Sequence, residues 1–356
     1  MSQYWNALVA KLEPYVPGEQ PKDQRYIKLN TNENPYSPSP KALTAIQAEA
    51  GAALRLYPDP EGVVLKEAIA AVHGVDTQQV FVGNGSDEVL AHIFHALFQA
   101  DKPVAFPDIS YSFYPVYAHL YELQTQTVAL RADFSLNVAD FPVNNGGIIF
   151  PNPNAPTGCA IGLDALEQLL QQYTNSVVVV DEAYVDFGAD TAIPLIQRYP
   201  NLLVVQTLSK AYSLAGLRVG FAIGQAHLMS ALERVKNSFN SFPLGRMALA
   251  GAAAAIRDRA YWEQTRQQVM ATRQQTVMVL EQLGFTVLPS MANFVLARPP
   301  DGNAEGLYQA LKQSGILVRY FNKPRIQDYV RITIGTDEEM AALFAALQPL
   351  AEVEAW

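Results

Sequence analysis

The chain has 356 residues, enough for one large core or two moderate ones, and its 49% hydrophobic content is ordinary for a globular enzyme. A formal net charge of −9 with no basic run argues against a nucleic-acid partner or an anionic membrane surface. A lone cysteine, Cys159, excludes an intramolecular disulfide, and no segment reads as a signal peptide or a membrane span, so a soluble cytoplasmic protein is expected.

In chain order, residues 1 to about 40 are rich in Pro, Asn, Tyr and Glu and read as an extended arm. Short apolar runs then alternate with helical patterns. The clearest strands are Val80–Val82, Val104–Phe106, Ile148–Phe150, Val177–Val180, Leu202–Val205 and Val219–Ile223. Helices are expected over Asp87–Ala100, Leu163–Tyr173 and roughly Gln225–Asn237, and the Ala-rich run Met247–Ile256 suits a packed helix. Strands apolar on both faces belong to a buried, mostly parallel sheet covered by helices, with ligands beyond the strands' carboxyl ends. From about residue 262 a long polar helix stops at Gly284, and shorter strands and a helix follow in an α+β pattern. The expected division is an arm over 1–45 with part of the small domain, a large domain over 46–260 and a small domain over 261–356.

The chemically loaded segments fall at strand ends. Thr207-Leu-Ser209-Lys210 follows an apolar run, with Arg218 eight residues beyond the lysine and Gly216 and Gly220 nearby. That is what a lysine needs to form a Schiff base beside a tightly held phosphate. Gly83-Asn84-Gly85-Ser86-Asp87 follows a strand and opens a helix, with Ser86 as the expected cap and free backbone N–H groups suited to an anion. Its spacing is not a dinucleotide fingerprint. Tyr111, after Val104–Phe106, could stack on a flat ring or fill core. Asn152-Pro-Asn154-Ala155-Pro-Thr-Gly158 is a rigid loop whose amides could bind a ligand oxygen. Asp181, at the end of an apolar strand, is costly there unless a cation meets it, and a protonated pyridine nitrogen is such a cation. Tyr184 lies three residues on, after the small Ala183. His92 and His95 stand three apart on a helix without a third ligand, so a packed or exposed pair is expected there, with no metal.

Together these segments resemble the pyridoxal-phosphate aminotransferases of fold type I, over nearly the whole chain. The resemblance implies an α/β fold: a large domain with a mostly parallel, seven-stranded, doubly wound sheet, and a smaller α+β domain. It implies that Lys210 holds pyridoxal 5'-phosphate and shuttles the proton, that Asp181 pairs with the ring nitrogen, and that Tyr184 serves the ring oxygen. Tyr111 would stack on the ring opposite Ala183. Gly85, Ser86, Asp87, Thr207, Ser209 and Arg218 would hold the phosphate, joined by Tyr57 from a second copy in a homodimer with shared sites. Many relatives carry Asn where this chain has Ala155, so Asn154 is expected to supply that amide from one position earlier.

Leu12-Glu-Pro-Tyr15, Leu29-Asn-Thr-Asn32-Glu33-Asn-Pro35, Tyr57-Pro-Asp59, Val318-Arg319 and Val330-Arg331-Ile-Thr-Ile-Gly335 are most similar to the histidinol-phosphate aminotransferase subgroup. This implies amino transfer between glutamate and imidazole-acetol phosphate in histidine biosynthesis. Arg331, with Arg319 and Tyr15, would bind the phosphate of one substrate and the α-carboxylate of the other in turn. Asn32 and Glu33 would close over the imidazole. An aromatic aminotransferase, a decarboxylase of a phosphorylated amino acid and a cofactor-sensing regulator share the scaffold. A regulator would need a basic DNA-binding module, for which the arm is too short and too acidic.

Overall fold

The computed structural model describes residues 2–352. The arm holds one 3-10 turn, Val9–Lys11, and a two-residue strand, β1 (Ile27–Lys28). Helix α1 (Pro40–Glu49) is capped by Ser39, whose Oγ accepts from the Lys41 N–H, and α2 (Val63–His73) ends at Gly74, where φ is +66°. Residues with a Cβ adopt that angle only at a cost, which is why glycine stops the helix there.

There follow β2 (Val80–Gly83), α3 (Gly85–Leu97), β3 (Val104–Pro107), α4 (Tyr114–Leu120), β4 (Thr125–Val128), β5 (Gly147–Pro151), α5 (Leu163–Gln172), β6 (Val178–Asp181), β7 (Leu202–Thr207) and β8 (Gly220–Gly224). The seven strands form one sheet in the order β2-β8-β7-β6-β5-β3-β4. All pairings are parallel except those of β8, which is antiparallel to both its neighbours. The six strands read from apolar runs are all present. The seventh, β4, escapes that reading because Thr125, Gln126 and Thr127 are exposed and only Val128 is buried, the pattern of a polar sheet edge.

Alternate residues of the central strands serve opposite faces. Ile149, Val179, Leu203 and Val205 pack with Ile93 and Phe94 of α3, Tyr114 of α4 and Leu232 of α6 (Ala226–Phe239). Ile148, Val178, Val180 and Val204 pack with Leu65 of α2, Leu169 of α5 and Ala252 of α7 (Arg246–Arg257). Each such buried aliphatic side chain contributes roughly 1.5–3 kcal/mol. That double cover explains why the strands read as unbroken apolar runs.

The rest of the chain comprises α8 (Arg259–Gln282), β9 (Thr286–Val287), β10 (Phe294–Arg298), α9 (Ala304–Gln313), β11 (Ile316–Leu317), β12 (Arg319–Tyr320), β13 (Val330–Thr333) and α10 (Asp337–Glu352). Its antiparallel sheet has the order β12-β13-β10-β9, and β1 of the arm pairs in parallel with β11. The arm is thus sewn into the smaller unit, while α1 packs on α7 of the larger one. A break at residue 45 falls inside α1, and one at 260 falls in the first turn of α8. Among the described residues no helix is long and apolar enough to cross a membrane.

One edge of the large sheet collects the carboxyl ends of β2, β3, β5, β6 and β7. Because β8 runs the other way, its start, Gly220, reaches the same edge, opposite Gly83 and Thr207. Parallel sheets bind ligands at this edge.

Candidate active site

At the end of β2 the chain turns through Asn84 into α3, whose first residue, Gly85, has φ +80°. Ser86 is the second helical residue and makes no capping bond, which corrects the expected role of its side chain. The Asn84 N–H is instead taken by Glu88 Oε2 at 2.6 Å. A Cβ on Gly85 would strike the Arg218 guanidinium, and one on Gly220 would strike the backbone nitrogen of Ser86. Two glycines therefore let the first turn of α3, the start of β8 and Arg218 close on one another. Arg218, itself at φ +56°, donates to Asp87 Oδ2 at 3.0 Å, and Tyr111 Oη donates to Asp87 Oδ1 at 2.9 Å. Across the edge, the Thr207 and Ser209 hydroxyls lie 3.0 Å apart, and the Ser209 N–H donates to Thr207 Oγ1 at 3.2 Å. Helix N–H groups, hydroxyls and a guanidinium make a donor set for a phosphate. Asp87 adds its N–H to that set, while its carboxylate aims Arg218 and Tyr111.

Lys210 follows β7. Its Nζ donates to Thr31 O at 3.2 Å and lies 5.7 Å from the centre of the Tyr184 ring. Asn34 of the arm holds the lysine's backbone, its Nδ2 donating to Lys210 O at 3.0 Å. Asp181 is buried at the end of β6, with Tyr114 Oη donating to Oδ2 at 2.9 Å and the Ala183 N–H donating to Oδ1 at 3.3 Å. Burial pushes its carboxyl up to about 6, against the pull of those two bonds. A carboxylate so placed is completed by a cation. Ala183 is half-buried beside it, and Tyr184 is buried edge-on against Phe294 at 5.0 Å.

Asn154 departs from expectation. Its Nδ2 spends both hydrogens inside the protein, on Ile109 O at 3.0 Å and Thr157 Oγ1 at 2.9 Å. They fix the loop, whose bonds Asn152-Pro153 and Ala155-Pro156 are both cis, against the end of β3. What remains of the side chain is Oδ1, a buried acceptor without a partner, not a donor for a ring oxygen. The amide on Tyr184 comes instead from Asn32, whose Nδ2 donates to Tyr184 Oη at 2.9 Å.

Arg319 and Arg331 stand directly opposite each other on β12 and β13. Arg331 lies 5.3 Å from the Phe294 ring centre and 5.4 Å from that of Phe321, and donates from Nη2 to Asn30 O at 2.9 Å. Its Nε is sealed from solvent without a partner. Among the described residues neither arginine has a carboxylate in salt-bridge range. Like charges directly opposite on adjacent strands repel, and an incoming anion would remove that cost. Tyr15 stacks on Phe113 at 4.8 Å and lies 6.4 Å from Tyr111, which ties the arm to the same crevice.

Two arm residues behave differently from the expected closure over an imidazole. Glu33 is held by Lys28 at 2.6 Å and by Thr31 Oγ1 at 2.6 Å. Asn32 is buried and bonded through its backbone and both ends of its amide. Tyr57 is 79% exposed and stacks on Phe242 at 4.7 Å. His92 packs edge-on against Phe81 at 5.9 Å, and burial lowers it to about 4. Sequence reasoning missed Tyr114, Asn34 and Thr31. For Tyr114 a signal existed: it follows Tyr111 by three residues and opens α4 just beyond β3, where its hydroxyl reaches Asp181.

Residues 24–347 match the model of the family described as aminotransferase class I and II, and the chain belongs to that family. Histidinol-phosphate aminotransferase 1 of Pseudomonas fluorescens is 59% identical over 350 residues, covering 98% of this chain and 100% of that one. Its counterpart in Pseudomonas aeruginosa is 60% identical over 347 residues, covering 98% and 99%. Among solved structures, the histidinol-phosphate aminotransferase of Sinorhizobium meliloti in complex with pyridoxal-5'-phosphate superposes with a TM-score of 0.89 at 26% identity, covering 100% of this chain and 99% of that one.

Proposed function

We propose that this chain is a pyridoxal-phosphate-dependent aminotransferase that moves an amino group from glutamate to imidazole-acetol phosphate, forming histidinol phosphate for histidine biosynthesis. The observation that carries the substrate assignment is the registered pair Arg319 and Arg331, two guanidiniums with no carboxylate partner among the described residues, in a chain about 60% identical to histidinol-phosphate aminotransferases. Each substrate brings an anion to this pair, a phosphate in one half-reaction and the α-carboxylate of glutamate in the other.

The residues present fit the cofactor. Gly85 and Gly220 open a cradle that a Cβ would fill, Asp181 is a buried carboxylate in want of a cation, and the Lys210 amine is held by a single carbonyl. When bound, pyridoxal phosphate supplies an electron sink for the carbanion formed at the amino acid's α-carbon. The side chains supply the rest. Lys210 would hold the cofactor covalently and, once displaced by substrate, would take the α-proton on Nζ and carry it across the face of the site. Asp181, steadied by Tyr114 and Ala183, keeps the ring nitrogen protonated. Tyr184 would donate its hydroxyl to the cofactor's phenolic oxygen, and Tyr111 and Ala183 would hold its ring. The first turn of α3 at Gly85, Ser86 and Asp87, with Thr207, Ser209 and Arg218, binds the phosphate.

Two copies of the chain share two sites, with Tyr57 of each reaching the phosphate held by the other. The exposure of Tyr57, and of Leu54, Leu56 and Phe242 around it, supports that reading. The same reading places the enzyme in the cytoplasm, where a lone thiol such as Cys159 stays reduced.

The test is a single-turnover half-reaction on the yellow holoenzyme, with histidinol phosphate and phenylalanine offered separately. Rapid bleaching by histidinol phosphate and slow bleaching by phenylalanine is expected. The reverse order would move the enzyme to aromatic amino-acid metabolism.

A further inference from the structure

Asn32 is an arm residue with the burial and bonding of a core residue. It is 1% exposed, and its φ of +56° lies in the left-handed region that asparagine tolerates better than most residues. Its N–H donates to Thr333 Oγ1 at 3.0 Å, and its carbonyl accepts from Asn293 Nδ2 at 2.9 Å. Such anchoring exceeds what a segment that only covers a substrate requires.

The side-chain bonds have a definite direction. The Thr333 hydroxyl carries one hydrogen. It accepts the Asn32 N–H and donates its own hydrogen to Asn32 Oδ1, at 3.0 Å. With the amide oxygen on Thr333, the end facing Tyr184 Oη at 2.9 Å is the N–H donor. A phenol that accepts an N–H must send its own proton elsewhere, and among the described residues none takes it. Donation into a hydroxyl also polarises it and strengthens it as a donor. The other amide in reach of this role, that of Asn154, is spent on Ile109 and Thr157, and Ala155 has none.

We propose that Asn32 is a positioning residue for the cofactor's phenolic oxygen: its amide turns the Tyr184 proton into the crevice and makes Tyr184 a stronger donor there. This rests on the reading of Tyr184 given above. The relay runs from Thr333 on β13 through Asn32 of the arm to Tyr184 beyond β6, so the smaller unit and the arm set a hydrogen bond in the larger one.

The test is the pH midpoint at which the holoenzyme's bound cofactor loses its yellow form, which carries the proton on the lysine-linkage nitrogen. Removing a donor from the phenolic oxygen leaves more negative charge there, and this retains the proton on the neighbouring nitrogen to higher pH. Tyr184→Phe is expected to raise the midpoint by about one pH unit, the scale of one hydrogen bond to a charged group. Asn32→Gly, which keeps the left-handed backbone angle, is expected to raise it by a smaller amount. Thr333→Val, which frees the amide to turn over, is expected to do the same, and stands in if the glycine variant fails to fold. In a Tyr184→Phe background neither substitution should add anything, because the relay then has no hydroxyl to act on. A midpoint unmoved by Asn32→Gly and Thr333→Val while Tyr184→Phe moves it would overturn the proposal, as would shifts that add in the double variants. If Tyr184→Phe is itself silent, the reading of Tyr184 fails and the proposal falls with it.

Discussion

Arg331 needs a partner that the described residues do not provide. Its Nε is buried and unpartnered, Arg319 faces it across the strand pair, and burial and that neighbour both lower its hold on the proton. A flat, delocalised guanidinium between Phe294 and Phe321 is suited to a planar or tetrahedral oxyanion, and an ammonium in its place would lose both the fork and the stacking. Arg331→Lys is therefore expected to raise KM for histidinol phosphate and for glutamate by about tenfold or more, the cost of one charge-assisted bond, while the cofactor's absorbance stays as it was. Steady-state kinetics with both substrates checks this, and an effect on one substrate alone would mean that the two anions use different sites. Next to Asp181, Glu182 is a carboxyl that the chemistry does not use. Its oxygens accept from Thr191 Oγ1, the Ala192 N–H and Gln206 Nε2, yet burial dominates and lifts it from 4.5 to about 7. Below about pH 4.5 the group is neutral folded and unfolded. Between about 4.5 and 7 only the unfolded carboxyl ionises, so unfolding releases a proton and stability falls as the pH rises through that window. The loss attributable to Glu182 is on the order of 3 kcal/mol. Urea titrations of the apoprotein from pH 5 to 8 should show a shallower decline for Glu182→Gln than for the parent.

Between elements, the site depends on backbones that approach each other closely. At the Gly83–Gly220 register, the start of β8 lies so near the first turn of α3 that a methyl group cannot enter without displacing backbone. Overpacking of this kind costs roughly 1–3 kcal/mol, so Gly220→Ala is expected to weaken cofactor binding by about tenfold to a hundredfold. Titration of the apoenzyme with pyridoxal phosphate measures it, and unchanged affinity would mean that the cradle does not need the close approach. Such proximity also marks the limit of what the sequence reveals. Six strands of the large sheet are legible because Val178 to Val180 or Leu202 to Val205 must be buried on both faces to be apolar throughout. β4 is hidden because an edge strand keeps Thr125 to Thr127 in water. Lys210, Asp181 and Arg218 stand out because a lysine, a carboxylate or an arginine beside a strand end is chemically conspicuous. The resemblance sends Asn32 to the imidazole, since nothing in Thr31-Asn32-Glu33 announces that β13, some 300 residues later in the chain, will bury it beside Tyr184. The spent amide of Asn154 is hidden for the same reason: its partner, Ile109 O, belongs to another strand end.

At the scale of the whole molecule, the tyrosine proposed to reach the partner copy's phosphate is exposed on its own subunit. Tyr57 is 79% exposed on the turn after the 3-10 segment Ala52–Arg55, stacked on Phe242 and otherwise in solvent. That turn is not slack. Lys236 of α6, 2% exposed, donates to Pro60 O at 2.8 Å and pairs with Glu233 at 2.7 Å, and Arg246 donates to Tyr57 O at 3.4 Å. A tyrosine held outward on a braced turn, among Leu54, Leu56 and Phe242, suits contact with a second copy. If each phosphate is completed by the opposite copy, complementation has an arithmetic consequence. A Lys210→Ala subunit offers an intact Tyr57 but no amine, and a Tyr57→Ala subunit offers the amine but no tyrosine. In a hybrid dimer one site collects both defects and the other collects none. With two-fold symmetry and random reassortment, half of the dimers are hybrids with one intact site of two, so the mixture should recover about a quarter of the parental activity. Mixing the two variants after denaturation and refolding, with unmixed refolded controls, measures it. Activity no greater than the average of the two controls would place Tyr57 outside its neighbour's site.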